Sequence, residues 1–435
     1  MQNSASAGTG VGRARWFRLI PVAIIVYIIS FMDRTNIGFA FSGMEKDLGV
    51  GAAAAGLAGG IFFIGYLFLQ IPGGHLTEHW SAKKFVGIMI IIWGIFAVLS
   101  GLVQSYWQLL AVRFLLGIAE GGIWPAILVL ISHWFPARER ARAYAYWIMN
   151  IAIASIITAP LSGWILTFAD WRWLFIVEGA FPFLIAAPLW WWLAADWPSE
   201  ASWVSEEERN YIERTIAEER RNSPQQVSGY RQALRSGVVW QLVVVYFLIQ
   251  IGFYGLNLWL PTVIHEMSQR GYGAVGLLTA IPYIVAIIGL WINGWAADRD
   301  GRYSLHVFIA MLIAAVALVA SVAIGRGNIV PSVALLSLAM GGALAYDGPF
   351  WAAASEAMPA AVAGGAMGLI NALGNLGGFA GPYLGGYLQQ QSGSFVSTAS
   401  VLAAALLLAG IVMLTVKVRR QHVEARGETT QEVRG

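Results

Sequence analysis

Twelve stretches of roughly 17 or more mostly apolar residues run along this chain, with charged residues gathered in the gaps between them. They do not alternate polar and apolar residues as barrel strands would, so each predicts a helix. Helices are predicted at 16–40, 57–74, 85–103, 107–134, 141–168 and 173–195, and again at 238–260, 275–297, 306–324, 329–351, 363–388 and 396–416. At a rise of about 1.5 Å per residue, each is long enough to cross the hydrocarbon core of a bilayer. The expected fold class is an all-α membrane protein with twelve transmembrane helices in two six-helix bundles.

Composition agrees: 58% of the residues are hydrophobic and only 12% charged, with 20 Trp among 435 residues. Lys and Arg near short loops remain on the cytoplasmic side of a bacterial inner membrane. With twelve spans and both termini cytoplasmic, 21 of the 27 Lys and Arg fall on that side. Lys46, Arg172, Arg270 and Arg326 fall outside, and Arg34 and Arg113 lie within helices. The net charge of +3 follows from this topology and implies no nucleic-acid partner. The first apolar run follows Arg13, Arg15 and Arg18 but ends in charges, so it reads as an uncleaved helix. With no Cys there is neither a disulfide nor thiol chemistry.

Charge density rises once, between 196 and 236, which divides the chain into a first bundle at 13–195, a cytoplasmic linker at 196–236 and a second bundle at 237–420. In the linker, Ser205 and Glu208 have the spacing of a capping box that opens a surface helix steadying the two halves. The tails 1–12 and 421–435 are expected to be disordered. The bundles are copies. Gly74, Leu76 and Glu78 match Gly294, Ala296 and Asp298 at an offset of 220, as Gly121 and Gly122 match Gly341 and Gly342. Asn36 matches Asn257 at 221, and Ser155, Ala159, Pro160 and Gly163 match Gly377, Gly381, Pro382 and Gly385 at 222. Duplicated halves place a substrate site near the bilayer midplane at their junction, and rocking exposes it to each side in turn.

Four charges sit inside apolar stretches: Asp33 and Arg34 in the first, Arg113 and Glu120 in the fourth. A charge at bilayer depth costs about 2.5–3.5 kcal/mol even on a mild insertion scale, so it is kept because it pairs, binds or moves a proton. Arg113 and Glu120 share one helix face about 10 Å apart, and the neighbours Asp33 and Arg34 point roughly 100° apart. The four sum to zero, which lowers the cost of an empty site at low dielectric. An incoming carboxylate competes for the guanidinium forks and favours proton uptake on Asp33 or Glu120, which couples the two bindings. A structural ion-pair network is the alternative use of the same four residues.

The chain resembles the major facilitator superfamily over nearly all of 18–420. Its cytoplasmic loop signature is present in altered form at 74–83 and more fully at 294–302. Asp33-Arg34-Thr35-Asn36-Ile37-Gly38, the Arg113 to Glu120 spacing, Trp171-Arg172-Trp173 and Gly348-Pro349-Phe350-Trp351 are similar to the anion:cation symporter family within it. That family includes proton-coupled carriers of sugar acids, tartrate, phthalate and other carboxylates. The resemblance implies uptake of a small organic anion by a monomeric carrier, with protons as coupling ion and no cofactor. Asp33 and Glu120 are then proton carriers, and Arg34 and Arg113 carboxylate ligands. Tyr66, Trp351 and Asn371 line the pocket in the family picture. Gln70 and Asn375 lie one turn from Tyr66 and Asn371, and Asn150 and Asn257 join them from midhelix polarity alone. Midhelix aromatics are equally at home in packing, and the Asn side chains in bonds between helices. Gly74, Glu78, Asp298, Arg299 and Arg302 form the expected cytoplasmic latch.

Two further acids, Glu178 and Asp347, lie near membrane depth: Glu178 is expected to pair structurally, whereas Asp347 fits either role. The pattern Gly-x-x-x-Gly-Pro-x-x-Gly-Gly at 377–386 is expected to pack helix eleven closely, with a bend at Pro382. Its counterpart on helix five is incomplete, which argues for uptake over efflux. No nucleotide loop, nucleophile elbow or metal-ligand spacing occurs, so an enzyme and a metal site are not expected. A sugar acid or hydroxy acid such as an aldonate or tartrate would use the amides, and an aromatic carboxylate could stack on Trp351, Tyr254 or Trp124. A proton-driven efflux antiporter is the rival function.

Overall fold

The computed structural model describes residues 12–222, 230–324, 328–358 and 360–416; the tails 1–11 and 417–435, with the last residues of the second bundle, lie outside them. Among the described residues helix is the only regular structure, and eleven helices are long and apolar enough to cross a membrane. In order, the first six spans are Ala14–Leu48, Ala52–His79, Ala82–Leu102, Tyr106–Trp134, Ala137–Ile165 and Trp171–Leu193. The seventh to tenth are Gly237–Ser268, Tyr272–Asp300, Tyr303–Ala323 and Ile329–Ala357, and the twelfth is Phe395–Thr415. The eleventh is built from two helices, Ala360–Gly374 and Gly377–Ser392, where the sequence pattern predicts one. Several spans also overrun the predicted ends, because helical hydrogen bonding continues past the apolar core into polar turns.

Other spans break in mid-course as well. The first turns at Asn36, the fourth at Gly122, the fifth at Met149 and the tenth at Tyr346. Interrupted helices at membrane depth are stable where their freed backbone groups face a cavity or a packed neighbour.

The duplication is visible in the packing. Gly121 lies against the Tyr66 backbone of the second span and Gly341 against Val285 of the eighth; Gly122 meets Phe85 of the third and Gly342 meets Ala310 of the ninth. On one side of the bundle the halves touch closely. Gly56 packs on the Pro382 carbonyl, Gly386 on the Ala52 carbonyl and Gly163 on the Tyr272 carbonyl, and the Phe41 and Trp259 rings are 4.6 Å apart. A Cβ at Gly56 or Gly386 would overlap backbone of the other half, so small residues are what allow this approach. Gly377 and Gly381 seat the eleventh span on the backbone of the seventh, with Pro382 inside the helix.

The linker helix Glu206–Asn222 opens as a half-formed capping box. Ser205 Oγ accepts from the Glu208 amide at 3.2 Å, but the Glu208 carboxylate does not return to Ser205. It accepts from the Ala14 and Arg15 amides at the start of the first span and pairs with the Arg15 guanidinium at 2.5 Å. The unsatisfied amides of a helix start and a nearby cation attract a carboxylate more strongly than one linker amide does. Arg15 also pairs with Glu139 at 2.7 Å. The helix Glu206–Asn222 therefore docks on the first bundle, while the short linker helix Tyr230–Ala233 packs against Ala360–Gly374 of the second.

Candidate functional site

Between the halves, where the spans break, lies a cavity lined by both bundles. The first bundle contributes Tyr27, Phe31 and Arg34 from the first span, Tyr66 from the second, Trp124 from the fourth and the turn around Met149 from the fifth. The second contributes Tyr246, Gln250 and Tyr254 from one face of the seventh span, Tyr346, Asp347 and Trp351 from the break in the tenth, and Asn371 and Asn375 from the eleventh. A wider cavity of about 2120 Å³ adjoins it, sharing Trp124, Ile148, Trp351 and Asn371, and is lined toward one face by Gln70, Gly74, His75, Glu78 and His79. The site is thus open toward the Glu78 face and closed by the glycine contacts on the other.

Arg34 is the cationic element of the cavity wall. Its Nη2 donates to Glu120 Oε2 at 3.2 Å and its Nη1 reaches the Tyr254 hydroxyl at 3.5 Å, across the junction of the halves. Its guanidinium carbon lies 4.7 Å from the Tyr66 ring centroid and 5.1 Å from that of Phe62. Aromatic faces stabilise the cation where water is scarce, yet Nε still has no hydrogen-bond partner. Glu120 is held by Ser30, whose hydroxyl donates to the same Oε2 at 2.7 Å.

Asp33 and Arg113 form a layer behind this wall. Trp93 Nε1 donates to Asp33 Oδ2 at 3.0 Å, and Arg113 Nη1 donates to the Asp33 backbone carbonyl at 2.9 Å. Neither residue lines the cavity, contrary to the expected placement of Arg113 as a direct ligand. The Arg113 guanidinium lies 5.5 Å from the Phe62 ring centroid, and its bond to the Asp33 carbonyl braces the first span just before its break. Glu178 adds a third buried carboxylate, accepting from Asn36 at 3.0 Å and from Ser162 at 2.7 Å. Three carboxylates and two guanidiniums therefore replace the balanced four, and one proton is needed for neutrality.

The second bundle faces Arg34 with neutral polar groups in a chain. Tyr346 donates to Gln250 Oε1 at 3.3 Å, Gln250 to Asn375 Oδ1 at 3.1 Å and Asn375 to Asn371 Oδ1 at 3.1 Å. Asn371 then donates to Gln70 Oε1 at 3.1 Å, crossing back to the first bundle. Trp351 Nε1 donates to Asp347 at 3.2 Å.

Tyr66, Gln70, Trp351, Asn371 and Asn375 thus line the cavity or the opening below it. Asn150 does not: its side-chain amide donates to the Trp147 carbonyl at 2.5 Å, at the end of the helix that precedes the break. Nor does Asn257, which accepts from the Tyr283 hydroxyl at 2.5 Å beside a separate cavity of about 230 Å³. Both positions are polar and midhelix, but that property does not reveal which way a side chain turns. The sequence reading missed Tyr27, Tyr246, Gln250 and Tyr346. Tyr246, Gln250 and Tyr254 recur four residues apart on one helix face, a signal that could have been read.

The latch residues are apart. Gly74 and Glu78 line the wide opening, Arg299 lies over Trp295 at 5.4 Å and the Arg302 amide donates to Asp300 at 2.9 Å. Among the described residues no ion pair joins Glu78 to Arg299 or Arg302, as an opening on this face requires. On the opposite face Trp171 and Arg172 both donate to Asp47, at 2.9 and 2.7 Å, tying the sixth span to the end of the first.

The family model of the Major Facilitator Superfamily matches residues 23–382. The chain belongs to the major facilitator superfamily. It is similar to a "Putative tartrate transporter" of Agrobacterium vitis, 32% identical over 92% of this chain and 89% of that protein. It is similar also to a quinolone resistance transporter of Acinetobacter baumannii, 33% identical over 92% of this chain and 91% of the other. The inward open xylose transporter XylE from E. coli superposes with a TM-score of 0.76 at 13% identity, covering 95% of this chain and 99% of that one, which establishes a common fold. This major facilitator protein is an integral membrane transporter with a small-molecule substrate, not an enzyme.

Proposed function

We propose that the protein is a proton-coupled symporter of the anion:cation symporter family, which takes up a small organic carboxylate by alternating access. A sugar acid or hydroxy acid, such as an aldonate or tartrate, suits the polar chain of amides. The protein acts as a monomer in the bacterial inner membrane, with both termini cytoplasmic and protons as the coupling ion. One observation carries this reading: the cavity's guanidinium, Arg34, is held by a single buried carboxylate, Glu120, that a substrate carboxylate can replace.

The exchange supplies the coupling. An isolated ionised carboxylate is costly in a dry interior, so Glu120 released from Arg34 takes a proton or hands the charge deficit to Asp33. The third carboxylate, Glu178, leaves the cluster with one excess negative charge, which strengthens the demand for a proton. Substrate and proton then bind better together than apart. Gln70, Gln250, Asn371 and Asn375 receive hydroxyl groups on the far side of the cavity, and an unpaired amide there disfavours an acid without them.

By the distribution of Lys and Arg, the Glu78 face is cytoplasmic and the structure is inward-open. Movement to the outward-open form separates the Ala52 and Gly386 contact and brings the latch residues together. Ala53→Cys with Gln390→Cys places two thiols on that closed face, where the Ala53 amide donates to the Gln390 side chain at 3.0 Å, in a chain that has no other cysteine. A short bifunctional thiol reagent is expected to abolish transport by this variant and leave either single variant active. Full activity of the linked double variant would show that these faces need not part.

Binding is tested first by thermal denaturation with a panel of carboxylates, since a ligand at about 100 times its Kd stabilises by about 2.7 kcal/mol. Stabilisation by a hydroxy acid in the wild type and its loss in Arg34→Ala is the expected result. The relative linked to quinolone resistance favours one second reading, proton-driven efflux. Protection of cells from quinolones, together with no uptake under an inward proton gradient, would decide for it.

A further inference from the structure

The cavity has a second charged pole that the mechanism above does not use. Asp347 is the first residue of the helix Asp347–Ala357, directly after the break in the tenth span, and it lines the cavity. A helix start favours an ionised carboxylate. Arg34, by contrast, already has Glu120. Among the described residues no cation lies within ion-pair distance of Asp347, and its one hydrogen bond is from Trp351 Nε1 to Oδ1.

The surroundings of Asp347 are aromatic. Tyr246 and Trp351 have ring centroids 5.3 Å apart, Tyr246 and Tyr346 lie at 6.3 Å, and all three residues line the cavity. A carboxylate in an aromatic wall, with the Trp351 Nε1 edge on one of its oxygens, can receive an ammonium group. The charge is matched by the carboxylate, and the ring faces replace water around its C–H and N–H groups. An aldonate or tartrate presents nothing cationic there. A structural role at the helix start explains why the acid is tolerated but not why its Oδ2 has no partner among the described residues.

We propose that Asp347, with Tyr246, Tyr346 and Trp351, is a cation-receiving subsite, so that between carboxylates otherwise alike the site favours the one that also bears a protonated amine. This rests on the reading of Arg34 as the carboxylate ligand. The two poles lie on opposite halves of the protein: Arg34 in the first bundle, Asp347 in the second. A zwitterionic ligand therefore bridges them, and its length is set by the cavity.

The test is equilibrium binding to the purified full-length protein of straight-chain ω-amino carboxylates of graded length, each beside its ω-hydroxy and unsubstituted counterparts. At one best length the amino acid is expected to bind about tenfold or more tightly than its counterparts. Asp347→Asn removes that advantage, bringing the amino and unsubstituted acids to similar affinity, and Asp347→Glu, which restores the charge, recovers at least part of it. No amine advantage at any length overturns the inference, as does an advantage that survives in Asp347→Asn. Binding of the unsubstituted acids separates the two claims. If they bind and Arg34→Ala abolishes it, only the cation subsite has failed; if Arg34→Ala changes nothing, the carboxylate reading has failed with it.

Discussion

Arg34→Lys is expected to lower transport by about 100-fold or more while the protein still folds and inserts. Lysine keeps the positive charge opposite Glu120, so the buried carboxylate is not left alone. What it loses is the planar fork, which alone donates to Glu120 and to the Tyr254 hydroxyl of the other half while lying against the rings of Tyr66 and Phe62. A compact ammonium cannot hold a substrate carboxylate bidentately while Glu120 is displaced. Arg34→Ala goes further: removing one partner of a buried ion pair typically costs about 3–5 kcal/mol. Comparing the two separates charge from geometry. Uptake by the lysine variant at half the wild-type rate would show that the fork is not what recognises the substrate.

Asp33→Asn and Glu120→Gln are expected to uncouple the carrier. In at least one of them, exchange of substrate across the membrane continues while accumulation driven by a proton gradient disappears. Glu120→Gln is the better candidate for retained exchange. Its amide oxygen can still accept from Ser30, and Arg34 is released from its carboxylate and becomes free for the substrate. Asp33→Asn changes a residue one layer back, where Trp93 holds Oδ2 and Oδ1 has no partner. A neutral amide there removes one of three carboxylates and with it the need for a proton. Paired counterflow and gradient-driven assays on the same vesicles distinguish uncoupling from simple loss of activity. Gradient-driven accumulation unchanged in both variants would remove Asp33 and Glu120 as proton carriers.

The fold was legible because lipid imposes a simple rule. Long apolar runs must be helices, and the matching glycines at 121 and 341 already pointed to two related halves, which pack on Tyr66 and Val285 as partners in a repeat would. The breaks were harder to read. Asn36 and Met149 interrupt helices without a proline in the following turn, because tertiary packing and not local propensity stabilises them, whereas Pro349, which leaves the Ala345 carbonyl to Asn293, did mark the break at Tyr346. The same limit governed the site. Arg34 and Arg113 are both guanidiniums within apolar spans, and only packing puts the first at the cavity wall and leaves the second out of it, though both approach the Phe62 ring. Asn257 and Asn375 are both midhelix amides; one meets Tyr283 on the closed side and the other Gln250 in the cavity. Side-chain direction across a helix interface is a tertiary property. Gln250 was the avoidable omission, since its spacing from Tyr246 and Tyr254 marks one polar face.

The most direct test of a carboxylate and a proton sharing one site is uptake by proteoliposomes under an imposed inward proton gradient, with internal pH followed at the same time. The account predicts that a hydroxy or amino carboxylate found by thermal denaturation accumulates above its external concentration. Its addition should acidify the vesicle interior, and both signals should vanish in Arg34→Ala. Accumulation without proton entry, or accumulation by the Arg34→Ala variant at the wild-type level, would contradict it.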